Sequence, residues 1–421
     1  MIAEPVSLAE QVGMSAPRLR RIDALMQRFI DRGVISGSVT LVARRGRVAH
    51  LQAHGLADIE STRQMQTDAL FRLASMTKPV IAVAILTLVE EGQLLLTNPV
   101  SNFLPTFKAQ QVAVANAAPP GWAISDLKSG GFHLEPASRE ITIKDLLTHT
   151  SGMGSATAGP GFDGTSAVIT SMQIGQSLGD VIPKMGPVPL SFQPGSTWEY
   201  SPLFGFDTLA HIVELVSGTG IDRFLDERIF QPLGMRDTGF SVPSEKRSRL
   251  AVVYNRTPSG LRAEQTPIRL LNLHTIPENR YYSGGGGLAG TAEDYARFGM
   301  MLANGGQLDG ERVLSRSTVA LMAANHIGAM PVERAIGDMR GYRFGLGVRV
   351  VDHIGEANTP TSRGTFGWAG AFGTNSWIDP VEQMVGLMMI QRLPTGPTEV
   401  DLELRSLFPR YQMTAYQALD D

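Results

Sequence analysis

Apolar residues recur at steps of three and four between Pro17 and Arg32, where Leu19, Ile22, Leu25, Met26, Phe29 and Ile30 share one face and Gly33 comes next. That spacing predicts an amphipathic helix with a glycine stop. The next stretch, SVTLVARRGRVAHLQAHG, alternates and reverses at Arg45-Gly46, the pattern of a β-hairpin. After Ala69 the sequence FRLASMTK leads into PVIAVAILTLVEEG. A helix that is apolar on every side has no face to offer water and must be buried.

From about Thr97 to Tyr282 the texture changes. Loops rich in Pro, Gly and Ala separate helical pieces such as IKDLLTHT, FDTLAHIVELVSG and IDRFLDERIF. Beyond the Gly284–Gly287 run, Thr291 with Asp294 marks a helix start and Asn304-Gly305-Gly306 its end. The stretches YRFGLGVRVV, GTFGWAGAFGTNSWIDP and EQMVGLMMIQ then read as strands. With strands at both ends of the chain and helices between, the expected fold is α/β of the α+β type. An antiparallel sheet flanked by helices takes residues 1–96 and 284–421. A mostly helical insert takes 97–283, with a cleft between the two. Two loops, Val112–Glu140 and Asn255–Tyr281, are candidate lids over that cleft.

Composition narrows the chemistry. Of 421 residues 43% are hydrophobic, enough for a large core, and 37 basic against 40 acidic residues leave a net charge of −3 with no basic run. A nucleic-acid partner is therefore not expected. The absence of cysteine excludes a disulfide scaffold, a thiolate zinc site, an iron–sulfur cluster and a cysteine nucleophile. The N-terminus lacks an apolar signal region, and the longest apolar run, Val80–Val89, is too short to span a bilayer. A cytoplasmic protein without a membrane partner is expected.

The sharpest chemical signal is Ser75-Met76-Thr77-Lys78 at the foot of the apolar helix. Three residues apart on a helix, the hydroxyl and the amine share a face, and Pro79 suits a first helical turn. A serine hydroxyl needs a base before it can attack. Burial disfavours the charged form of a lysine and can supply one. The bland reading makes Ser75 a helix cap and Lys78 a snorkelling surface residue. An all-round apolar helix, however, leaves Lys78 little water to reach.

The blocks FRLASMTKPVIAVAILTLVEEGQLLL, ITIKDLLTHTSGM, FQPGSTWEYS, SGGGGLAGTAEDYARF and FGWAGAFGTNSWIDP together resemble the serine β-lactamase-related superfamily. More narrowly they resemble the family VIII carboxylesterases, relatives of class C β-lactamases and D-alanyl-D-alanine peptidases. The resemblance covers nearly the whole chain and implies the β-lactamase/transpeptidase-like fold. It implies Ser75 as acylated nucleophile, Lys78 as its base partner and Tyr200 as general base and acid. Trp368-Ala369-Gly370 matches the third motif, at the substrate. The oxyanion hole would be the N–H groups of Ser75 and of Ala371 on the following strand.

Two departures push the reading from lactam toward ester. Ser201-Pro202 follows Tyr200 where class C enzymes carry Y-A-N, so the amide that would hold an acylamino group is missing. Trp368 stands where lactamases have a lysine, removing a carboxylate-gripping cation and favouring apolar groups. With that lysine absent, Lys78 and Tyr200 are expected to share a proton as a coupled pair. The packed-aromatic reading of Tyr200 gives way to the chain order Ser75, Lys78, Tyr200, Trp368, which follows the family's.

Rival chemistries are weaker. Gly175-Gln176-Ser177-Leu178-Gly179 satisfies the nucleophile elbow of α/β-hydrolases, but that motif needs a buried strand before it and a helix after it. Upstream, GTSAVITSMQI is a weak strand candidate; downstream, Pro183 and Gly186 interrupt any helix. His149 reads as a structural residue just past a helix end. His50 and His54 have metal-like spacing on a helix only; on a strand they stand about 13 Å apart. Gly284–Gly287 lacks the G-K-[ST] of a phosphate loop and reads as a permissive turn. The pairs Met300-Met301 and Met388-Met389 suit core or acyl-pocket packing.

The expectation is a serine carboxylesterase, with short acyl chains implied by the family, working through an acyl-enzyme on Ser75. No cofactor and no metal are expected, and the expected partner is a small-molecule ester. The alternatives are a β-lactamase or D-Ala-D-Ala peptidase, an acyltransferase, an α/β-hydrolase-type esterase using Ser177, and a non-enzymatic binding protein. Oligomeric state is not legible in the chain.

Overall fold

The computed structural model describes residues 8–115, 132–154, 160–264, 273–330, 339–394 and 399–421. Eight antiparallel strands form the main sheet. They are β1 (Gly37–Arg44), β2 (Arg47–Asp58), β3 (Arg63–Gln64), β4 (Tyr342–Phe344), β5 (Arg349–Val351), β6 (Phe366–Gly367), β7 (Asn375–Asp379) and β8 (Met384–Met389). Their order is β4-β5-β6-β7-β8-β1-β2-β3, so the hairpin from one end of the chain pairs with strands from the other. The join is β1 against β8, with Leu41 opposite Leu387. The β1–β2 hairpin turns at Arg45 and Gly46, both at positive φ (50° and 74°), the conformation a two-residue hairpin turn requires.

Every residue of β1 is buried, because helices cover both faces of the sheet. Val42, Met384 and Met388 pack on one side with helices α1 (Arg21–Asp31) and α6 (Glu399–Tyr416). The helix expected from Pro17 onward breaks at Arg20 into Ala16–Leu19 and α1. On the opposite face Val39, Leu41 and Leu387 join one core with α2 (Thr77–Glu90) and α5 (Ala292–Ala303). Gly386 of β8 has no room for a side chain, because a Cβ there would lie 2.0 Å from the Trp377 indole. Thr291 caps α5 by accepting the Asp294 N–H, as the sequence pattern predicts.

Helix α2 is the apolar helix expected after Ser75. Its residues Thr77 to Leu88 are all buried, and it packs against α4 (Phe204–Ser217). Each fully buried Val, Ile or Leu in it stabilises the fold by about 1.5–3 kcal/mol. The foot of α2 is therefore a rigid platform.

The two candidate lids are partly paired. Gln111–Ala115 and Phe132–Pro136 form an antiparallel ladder, as do Tyr254–Thr257 and Gly260–Ala263. Residues 116–131 and 265–272 of those segments lie outside the described residues. The stretch before Ser177, only a weak strand candidate in the sequence, is for the most part a helix, Pro160–Ser171. No described helix is long and apolar enough to cross a membrane.

Candidate active site

The helix at Ser75 starts two residues later than the spacing predicts. Ala74–Met76 form a 3-10 turn, and the α-helix begins at Thr77, with Pro79 in its first turn. Ala74 takes φ +47°, a left-handed conformation that costs a non-glycine residue about 1–3 kcal/mol and persists only where surroundings enforce it. Those surroundings are visible. Leu73 N–H donates to Leu288 O at 2.9 Å, Leu288 N–H to Thr77 Oγ1 at 3.1 Å, and Tyr295 OH to Met76 O at 2.9 Å.

Three polar groups converge at this turn. Lys78 Nζ lies 3.2 Å from Ser75 Oγ, and the Tyr200 hydroxyl donates to the same oxygen at 2.7 Å. Lys78 is 1% exposed, and its Nζ also donates to Pro202 O and to Gly285 O, each at 2.6 Å. An ammonium has three protons. With two N–H bonds directed at carbonyls, the fourth tetrahedral position faces Ser75. In the ammonium that position carries a proton; in the neutral amine it carries the lone pair, aimed at the hydroxyl.

The carbonyl of Gly285 reaches Lys78 because the glycine run packs tightly onto the start of α4. A Cβ on Gly284 would lie 2.4 Å from Phe206 O, and one on Gly285 2.7 Å from Leu203 Cα. None of the four glycines takes a positive φ. The run does turn, as expected, at Gly284–Gly286, but what requires glycine there is the close approach rather than a left-handed φ.

Behind it stands Asp207, a buried carboxylate in the first turn of α4, which no motif singles out. It accepts from Tyr281 OH, Ser283 Oγ and Gly285 N–H, each at 2.7 Å. Burial pushes its carboxyl up, against these bonds and the nearby Lys78 charge, which pull it down.

Tyr200 belongs to an aromatic wall. The His149 ring lies against Tyr200 (4.8 Å between centroids), Phe344 (5.1 Å), Phe206 (5.3 Å), Trp198 (6.0 Å) and Trp368 (6.5 Å). His149 follows helix α3 (Ile143–Leu147), and its Nδ1 accepts the Ser201 N–H at 3.2 Å. Burial, and then the Lys78 charge, hold it well below the usual histidine range. It is a neutral packing group, in keeping with the structural role expected of it. Tyr200, Ser201 and Pro202 thus contact, in succession, the nucleophile candidate, the wall and the amine.

Trp368, Ala369 and Gly370 leave β6 and enter a tight turn before β7, closed by Gly370 N–H to Thr374 O at 2.7 Å and Gly373 N–H to Gly370 O at 2.9 Å. Ala371 lies in this turn, not on a strand as expected; the F-G-W-A-G-A-F alternation runs on past the point where the chain bends. The turn docks beside Ser75. Thr374 Oγ1 donates to Leu73 O at 3.2 Å, Phe372 packs on Ala74, and a Cβ on Gly370 would sit 2.3 Å from Leu73 O. Neither the Ser75 nor the Ala371 N–H has a backbone acceptor outside its own element among the described residues.

The rival sites are occupied otherwise. Ser177 caps a short helix, Leu178–Val181, and its Oγ donates to Asp180 Oδ2 at 2.7 Å. His50 and His54 both lie on β2. His50 Nε2 is 2.9 Å from Thr40 Oγ1, and His54 Nε2 is 3.5 Å from Asp23 Oδ1.

Comparison with known proteins adds family and fold. The model of the family described as Beta-lactamase matches residues 22–407. An uncharacterized protein of Mycobacterium tuberculosis is 33% identical over 94% of this chain and 98% of its own. Esterase EstB of Burkholderia gladioli is 32% identical over 88% of each chain. The solved structure of EstCE1, described as a hydrolase with promiscuous acyltransferase activity, superposes with a TM-score of 0.75 at 26% identity, covering 99% of this chain and 100% of that one.

Proposed function

The chain belongs to the beta-lactamase family, as a serine hydrolase on its family VIII side, and from that premise we propose that it is a carboxylesterase working through an acyl-enzyme on Ser75. The observation that carries the reading is a single oxygen, Ser75 Oγ, within hydrogen-bond reach of both Lys78 Nζ (3.2 Å) and Tyr200 OH (2.7 Å). The ester enters a cleft between the sheet unit (1–96 and 284–421) and the insert (97–283). Ser75 attacks its carbonyl carbon while the Lys78/Tyr200 pair takes the hydroxyl proton. The N–H groups of Ser75 and Ala371 hold the oxyanion. The pair then returns the proton to the alkoxide as the C–O bond breaks and the alcohol leaves. Water, deprotonated by the same pair, attacks the acyl-enzyme and releases the acid and free Ser75.

Ester is favoured over lactam by the aromatic wall. Trp368 and Tyr200 pack 5.5 Å apart where a lysine would hold a lactam carboxylate, and an indole face suits an apolar acyl or alcohol group. The name of the EstB relative agrees with that preference. Acyl transfer is a second reading, supported by the description of EstCE1: an alcohol replaces water in the last step.

Labelling with a fluorophosphonate followed by peptide mass spectrometry tests the assignment. The tag is expected on Ser75, in a chain that turns over p-nitrophenyl esters faster than a chromogenic cephalosporin or a D-Ala-D-Ala peptide. A tag on Ser177, or no ester turnover, overturns it. Adding an alcohol to the ester assay separates hydrolysis from transfer by the product formed.

A further inference from the structure

Asp207 has no place in the acyl-transfer scheme, yet it is 0% exposed and makes three hydrogen bonds of 2.7 Å, to the Tyr281 and Ser283 hydroxyls and to the Gly285 N–H, which can only donate. An ionised carboxylate satisfies all three as acceptor, and a fixed N–H donor among them suits it. Leaving such a charge in the interior is costly unless a counter-charge is near. The buried cation within reach is Lys78, whose charge acts on Asp207 directly. The two are linked through one peptide segment, since Gly285 gives its N–H to Asp207 and its carbonyl to Lys78.

We propose that Asp207 is a positioning residue for Lys78: its carboxylate locks the Gly285 carbonyl onto Nζ and sets how tightly the Lys78/Tyr200 pair holds the proton it must exchange with Ser75. The proposal rests on the Ser75 mechanism above and deepens it. A negative charge behind the amine favours the ammonium form. Ser75 activation needs the amine neutral, so it sets in at a higher pH with Asp207 charged than without it. The other groups facing the amine do not carry a competing charge of this kind. Ser75 and Tyr200 are the reacting partners, His149 is neutral, and Tyr281 is a phenol pushed well up by burial and then by Asp207 itself. The Phe206 ring, 5.6 Å from Nζ, closes the remaining side.

The test is the pH dependence of Ser75 inactivation by a fluorophosphonate, read on the full chain. In Asp207→Asn, which keeps shape and can still accept from Gly285, the midpoint of the acid limb is expected to fall by about one pH unit. The plateau rate should stay within about tenfold of wild type. Asp207→Glu, which restores the charge, should return the midpoint toward the wild-type value. A midpoint unmoved in Asp207→Asn, or moved upward, overturns the proposal; a lower plateau alone would mean a scaffold role. If Asp207→Asn does not fold, neutron diffraction from the wild-type protein decides. A carboxylate free of deuterium supports the proposal, and a deuteron on Oδ1 or Oδ2 overturns it. Ester turnover is no part of this readout. A chain that reacts with the fluorophosphonate but hydrolyses no ester overturns the esterase reading and leaves the Asp207 test standing.

Discussion

Ser75 Oγ and the Tyr200 phenol oxygen are 2.7 Å apart, a separation at which a proton on either oxygen can point at the other. Lys78 approaches the same hydroxyl from a different side, so protonation of any one of the three groups constrains the other two. Removing the phenol oxygen alone should therefore disable chemistry without disturbing packing. Tyr200→Phe is expected to lower kcat by about 10²–10⁴-fold. Its melting temperature should stay close to wild type, because the ring keeps its contacts with His149 and Trp368. Steady-state kinetics on a p-nitrophenyl ester alongside a thermal melt checks both halves.

Lys78→Met keeps the length and burial of the side chain while removing the nitrogen. It leaves the carbonyls of Pro202 and Gly285 without their Nζ donor. If Lys78 belongs to the proposed proton-accepting pair, its loss should cost about 10²–10⁴-fold in kcat. Fluorophosphonate labelling should slow in parallel, because that reaction also needs an activated Ser75. Near-normal labelling in the variant would assign the base elsewhere.

Gly370→Ala tests the turn. The new methyl would meet Leu73 O at 2.3 Å and Thr374 Oγ1 at 2.2 Å, so the turn has to lift away from the segment leading to Ser75. If the Ala371 N–H is an oxyanion donor, kcat should drop about 10²–10³-fold. Unchanged KM and circular dichroism would localise the damage to the turn.

Ser177→Ala removes a helix cap and nothing from the chemistry. Loss of the Oγ bond to Asp180, with the backbone N–H bond to the same carboxylate retained, should cost up to about 1 kcal/mol of stability, measured by denaturant titration. Ester turnover should be unchanged. Loss of activity with intact folding would favour the α/β-hydrolase reading.

His50 predicts a pH effect on stability. Burial, then the charge of His54, lowers its folded value from 6.5 to about 4. Between those values the unfolded chain binds more protons than the folded one, so stability rises with pH. The contribution is complete above about pH 6.5 and is lost as pH falls toward the folded value, at up to about 1.4 kcal/mol per pH unit. The melting temperature should decline on acidification through this window, and the decline should be shallower in His50→Asn.

Much of this site is legible in the chain because it is built from side chains with fixed local spacing. Ser75 and Lys78 are three apart on one turn, and the Tyr200 and Trp368 blocks carry the family pattern. The sheet is legible from alternation at both ends of the chain. The contacts that hold Lys78 are not, because Pro202 and Gly285 take part through their backbone carbonyls, and a carbonyl has no residue signature. Asp207 does leave a trace, as a carboxylate among Phe204, Phe206, Leu209 and Ala210, which a search for buried acids would find. The helix Pro160–Ser171 reads as a weak strand because its Val, Ile and Thr residues favour strands locally. The Ala371 turn escapes because alternation cannot register a bend made by close docking on Leu73.

The seam between β1 and β8 bears on how the protein comes to exist. Residues 45–383 separate the two partners, so β1 waits, unpaired on that side, until residues 384–389 have emerged from the ribosome. Ser75 is synthesised early, but the turn at Gly370 that docks beside it arrives some three hundred residues later. Contacts this distant along the chain form slowly. A nascent chain therefore carries Ser75 long before its proposed site can assemble, and truncation ahead of β6 would leave the proposed nucleophile without the turn that docks beside it.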